Sequence, residues 1–74
     1  MKVNKGTAFA SYLRQQRQRR GIDLARLADT SRLPMERLIA LESGSSLPVP
    51  ADLSRLARAL DIPAETIFAK AGRF

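Results

Sequence analysis

The residues of this chain with the most chemistry to offer are its cations. Nine of its thirteen lysines and arginines lie within the first 37 residues: Lys2, Lys5, Arg14, Arg17, Arg19, Arg20, Arg26, Arg32 and Arg37. Only Asp23, Asp29 and Glu36 oppose them there, leaving an excess of six. Residues 38–74 set Arg55, Arg58, Lys70 and Arg73 against Glu42, Asp52, Asp61 and Glu65, which balances to zero. The chemistry open to such a set is the neutralisation of phosphates, and a one-sided basic field suits a polyanion such as nucleic acid. The plainer reading is a solvated surface, and charge alone says nothing of sequence specificity.

Other chemistry is scarce. The chain has no Cys, so a disulfide framework, a thiolate nucleophile and a Cys-ligated metal are excluded. It has no His, which removes the usual general base and the usual metal ligand. No nucleophile–base pair, no paired carboxylates on one helical face and no Gly-rich phosphate loop stands in the sequence. The expectation is a protein that is not an enzyme, with no catalytic residues, no metal and no cofactor.

The elements that must position the cations read as five helices and no strand. A chain of 74 residues is one domain, close to the lower size for an unstapled core, and 45% hydrophobic content is enough to fold. Thr7 can cap a first helix with Phe9, Tyr12 and Leu13 on one face and Gly21 ending it. Asp23 can cap a short second helix whose inward residues are Leu24, Leu27 and Ala28. Residues 30–33 read as a turn, and Pro34 suits the first turn of a third helix, where its missing N–H costs nothing. Leu38 and Leu41 face inward on that helix, Gly44 ends it, and residues 43–50 form a loop. Leu53, Leu56, Ala57 and Leu60 have the spacing of a fourth helix. Pro63 opens a fifth, with Ile67 and Phe68 closing the core. The domain is expected over residues 7–69, with residues 1–6 a flexible N-terminus and residues 70–74 a tail. No apolar run approaches ~18 residues and no signal-peptide core is present, so no membrane is expected and the compartment is read as cytoplasmic, at a bacterial or phage nucleoid.

Residues 21–44 carry the sharpest pattern: two short helices joined by a tight turn. The spacing of Leu27-Ala28, thirteen residues, then Glu42-x-Gly44 resembles the helix-turn-helix of the phage repressor and Cro class, the XRE family. The likeness runs over roughly residues 9–68, through Pro48, Leu56-Ala57-x-x-Leu60-x-Ile62 and Ile67. It implies an all-α, five-helix repressor-like bundle with helices 2 and 3 as the helix-turn-helix. It further implies a small sequence-specific DNA-binding transcriptional regulator, with residues 34–43 as the reading helix in the major groove of double-stranded DNA.

The resemblance also assigns residues. Met35, Glu36 and Ala40 fall where the family reads base edges, Glu36 suited to cytosine N4 and the other two to thymine methyl groups. Arg37 is placed to reach a guanine edge or a phosphate. Arg14, Arg19, Arg20, Arg26, Arg32 and Ser45 are the expected phosphate contacts, and Arg17 with Glu42 the expected buried ion pair between helices 1 and 3. Three features depart from the family: Leu24 where a phosphate-binding Gln is frequent, Ser43, Ser45, Ser46 and Leu47 where basic residues are common, and Ile39 on the outer face of the reading helix. The Met35/Ile39 pair supports an alternative, a protein-docking module or antitoxin-like regulator with a protein partner. Leu47, Val49, Phe68 and Phe74 are left over for a weak homodimer on a two-fold site.

Overall fold

The structure, a computed structural model, describes residues 7–72. Five helices follow one another: α1 (Thr7–Arg19), α2 (Leu24–Ser31), α3 (Met35–Ser43), α4 (Pro50–Leu60) and α5 (Ala64–Lys70). No strand occurs among the described residues, so the all-α expectation holds.

Three helices end in the same way. After α1, Gly21 turns left-handed at φ +66°, its N–H donates to Gln18 O and the Ile22 N–H donates to Arg17 O. After α3, Gly44 at φ +81° does the same, with Ser45 N–H donating to Ala40 O and Gly44 N–H to Leu41 O. Asp61 at φ +56° repeats the pattern after α4, with Ile62 N–H donating to Ala57 O. Each is a paired 6→1 and 5→2 closure that satisfies carbonyls with no helical partner. Glycine reaches this backbone region without a Cβ clash, which is why Gly21 and Gly44 mark helix ends in the sequence.

Starts are less uniform. Asp23 caps α2 by accepting from Arg26 N–H at 2.8 Å. Pro34 and Pro63 stand at the residue before α3 and α5, and their carbonyls accept the first helical N–H groups. At α4 the Asp52 carboxylate reaches back to Val49 N–H at 3.0 Å, and valine has no side-chain acceptor to return the bond.

The core is a continuous cluster of Phe9, Leu13, Leu27, Leu33, Leu38, Leu41, Leu53, Leu56, Ala57, Leu60, Ile62 and Ile67. α3 packs against α1 and α2, α4 packs against α2 and α5, and α5 touches α1. Tyr12, Leu24, Ala28 and Phe68 are partly buried against this cluster.

Several boundaries move from those the sequence suggests. Thr30 and Ser31 belong to α2, so the turn is residues 32–34, and Arg32 rather than a glycine takes the left-handed position at φ +61°. Leu33 turns inward and pins that turn to the core. α3 includes Ser43, α4 begins at Pro50, and α5 extends to Lys70. Thr7 is itself helical, and the residue before it lies outside the described residues. Residues 1–6, Arg73 and Phe74 also fall outside them.

Candidate nucleic-acid interface

α2 and α3 form a helix pair joined by three residues, with Ala28, Leu27 and Leu38 at or against the common core. The inward face of α3 is Leu38, Leu41 and Glu42, all buried. Its outward face is Met35, Glu36, Ile39 and Ser43, and Ala40 is half-buried beside them. Met35 and Ile39 are 38% and 51% exposed, one helical turn apart. Of the three residues assigned to base reading on the resemblance, Met35 and Glu36 are thus open to solvent, and Ala40 is partly screened.

α3 is fixed to the body from two sides. Glu42 accepts from Arg17 Nε at 2.7 Å and Arg17 Nη2 at 3.0 Å, a side-on, two-point ion pair with side chains 14% and 7% exposed. Arg17 Nη1 also donates to Ile22 O, and Arg14 Nη1 donates to the Glu42 carbonyl at 2.8 Å. Hydrogen bonding to the Glu42 carboxylate raises the Arg17 pKa above its ordinary value; burial works against it, and the charges of Glu42 and Asp23 add to it. One carboxylate and one carbonyl at the end of α3 therefore gather two arginines from α1.

The second anchor corrects an expectation. Arg37 does not stand free to reach a guanine edge or a phosphate: Nη2 lies 2.6 Å and Nε 3.2 Å from Asp52 Oδ2, and Nη2 donates to Leu47 O at 3.0 Å. Asp52, 8% exposed, is held at the N-terminal turn of α4, so Arg37 joins α3, the following loop and α4. A buried carboxylate is costly without a partner, and Arg37 supplies a cationic one.

The remaining cations differ in freedom. Arg19, Arg26 and Arg32 are exposed, and their side chains have no hydrogen bond or ion pair among the described residues. Arg20 Nη1 bonds Gln16 on its own helix, at both the carbonyl and Oε1, and stays exposed. Arg14 is exposed but spends one nitrogen on Glu42 O. The Ser45 hydroxyl lies 3.3 Å from Ala40 O and 3.0 Å from Ser43 Oγ, closing the end of α3. Leu24 turns half inward against the core, so no polar side chain stands at that point of α2.

Two cations escaped the sequence reading, because Arg55 and Arg58 lie in the charge-balanced half. They share the exposed face of α4, and Arg55 Nη1 donates to Arg32 O at 3.2 Å, bringing them to the turn of the helix pair. Their spacing of three, opposite Leu53, Leu56 and Leu60, was the available signal.

Among the described residues no group of three or more acidic, Cys or His side chains is placed to hold a metal ion, and no helix is long and apolar enough to cross a membrane. No curated protein and no solved structure gives a match. A family profile described as a helix-turn-helix domain matches residues 8–67, from the start of α1 to the buried Ile67 of α5. That span takes in all the core and both anchors of α3, and the chain belongs to this helix-turn-helix domain family, in keeping with a Cro- or repressor-type DNA-binding domain.

Proposed function

We propose that this protein is a sequence-specific DNA-binding transcriptional regulator that inserts α3 into the major groove. The observation that carries the reading is the pairing of a solvent-open face, Met35 and Glu36, with a helix anchored through Arg17–Glu42. A reading helix must present base-contacting groups in a fixed register, and an anchored short helix does so with little ordering cost. Glu36 accepts from cytosine N4, and Met35 with Ala40 meets thymine methyl groups. Arg19, Arg20 and Arg26 meet phosphates, with Arg14 contributing from α1 and Ser45 from the end of α3, while Arg32 faces the cleft beside α4.

One domain of this size makes few base contacts, so two copies on a two-fold site supply the rest. Leu47 and Val49, both nearly half exposed in the loop after α3, are the apolar residues available for that contact. Selection of bound duplexes from a random pool tests the reading: an enriched site with two half-sites ~34–36 Å apart is expected. A pool that stays random overturns sequence-specific recognition.

A second reading has its own observation. The exposed Met35/Ile39 pair on α3 also suits a protein partner, as in a docking module or an antitoxin-like regulator. Ile39→Glu then abolishes partner binding and leaves affinity for mixed DNA nearly unchanged.

A further inference from the structure

A cleft of about 430 Å³ lies between the C-terminal end of α2 and the exposed face of α4, lined by Thr30, Ser31, Arg32, Arg55 and Arg58. Three of the five lining residues are arginines and none is a carboxylate. The neighbouring hollow on the other side of Arg32 is different, because Asp29 lines it. Arg58 and Arg32 make no side-chain hydrogen bond or ion pair among the described residues, while Arg55 spends one nitrogen on Arg32 O.

Ser31 adds an independent observation. It is 3% exposed, and its hydroxyl is a buried side-chain group with no hydrogen-bond partner among the described residues. A buried hydroxyl left unpaired is costly, and native proteins rarely keep one. Ser31 is one of the residues lining the cleft, so the unpaired hydroxyl belongs to its wall.

We infer that this cleft binds the phosphoryl group of a small molecule, gripped by Arg32, Arg55 and Arg58 with the Ser31 hydroxyl as a further partner. The end of α2 opposes an anion with only about half a negative charge, against three full positive charges. A phosphoryl group brings close to two charges and three acceptor oxygens at neutral pH, which suits three guanidinium forks better than a single carboxylate does. The volume falls within the ~300–1,000 Å³ of small-molecule clefts. Such a ligand would sit against Arg32 at the turn between α2 and α3, so its binding touches the segment that sets the relation of the two helices.

The test is a titration of ¹⁵N-labelled protein with inorganic phosphate, with sodium chloride exchanged to hold ionic strength fixed. Saturable amide shifts centred on residues 30–32 and 55–58 are expected. Arg58→Gln and Arg32→Gln should each weaken binding about tenfold or more, the scale of one charge-assisted hydrogen bond. Ser31→Ala should weaken it too while leaving the thermal midpoint unchanged or raised, since it removes an unpaired hydroxyl. Shifts that never saturate, that spread equally to Arg19 and Arg26, or that persist at full affinity in Arg58→Gln overturn the site. Protein saturated with a DNA duplex should bind phosphate as well as free protein does. Displacement of phosphate by the duplex would make the cleft part of a DNA surface and overturn the small-molecule assignment.

Discussion

Arg37 and Asp52 lie fifteen residues apart and meet at 2.6 Å, closing the loop that follows α3 onto α4. Asp52 accepts from Val49 N–H as well, so one carboxylate holds the start of α4 and, through Arg37, both α3 and the Leu47 carbonyl of the loop. An arginine that the sequence offers for recognition is here used for construction.

Replacing Arg37 by Ala is therefore expected to lower stability rather than to change the preferred DNA site. Breaking a fully buried pair costs roughly 3–5 kcal/mol. The Arg37 side chain is 29% exposed and Asp52 keeps its Val49 partner, so about 1–3 kcal/mol is expected after screening. Urea denaturation checks it, and an Arg37→Ala protein as stable as its parent would show that the pair carries nothing.

The Arg17–Glu42 pair is more enclosed. Arg17→Met alone strands Glu42 and should cost roughly 3–5 kcal/mol, whereas Arg17→Met with Glu42→Leu should recover much of that loss. The pH dependence follows from the raised Arg17 pKa. A cation whose pKa is raised on folding contributes fully below its unfolded value and loses that contribution as pH rises through its folded value. Arginine's range lies in strong alkali, so the Arg17 contribution should stay constant across neutral and mildly basic pH.

Arg32 holds a left-handed backbone that disfavours side chains. Relief of about 1–2 kcal/mol is set against the ~0.5–1 kcal/mol of extra chain entropy that glycine loses on folding. Arg32→Gly should accordingly raise stability by a few tenths to about 1 kcal/mol, while anion affinity falls. A thermal midpoint below that of the parent would mean the Arg32 side chain stabilises the turn in a way its backbone angle conceals.

Much of this was legible in the sequence for physical reasons. Leucine spacing set the core faces of α1 to α4, and Gly21 and Gly44 announced helix ends because only glycine turns left-handed without strain. Asp23 announced a start because its carboxylate can take an orphan N–H. The Arg32 turn was placed two residues early because no glycine marks it. The Arg37–Asp52 pair is not legible in the sequence, because the two residues are distant and helical periodicity carries no information across a loop. Arg55 and Arg58 were passed over because charge was counted along the chain, while the fold sums it across helices.

Base reading and phosphate contact should separate cleanly by mutation. Glu36→Ala should relax preference at one base position by about 1–3 kcal/mol with little change in folding. Arg26→Ala should weaken all duplexes alike and leave the preferred site unchanged. Competition binding with point-substituted duplexes distinguishes the two, and an unchanged preference in Glu36→Ala would show that α3 is not oriented in the groove as proposed.

The most direct test of the central claim is the salt dependence of duplex binding by the unmodified protein. Three free or nearly free cations outside the Arg32 cleft, Arg19, Arg20 and Arg26, are the proposed phosphate contacts. Each phosphate neutralised contributes about −0.9 to the slope of log affinity against log salt. Affinity measured from low to physiological salt should give a slope of roughly −2 to −3 per subunit on mixed-sequence DNA, and Arg26→Ala should flatten it by about one. A slope near zero would contradict the account, because a DNA-binding domain with this charge distribution must release counterions when it binds.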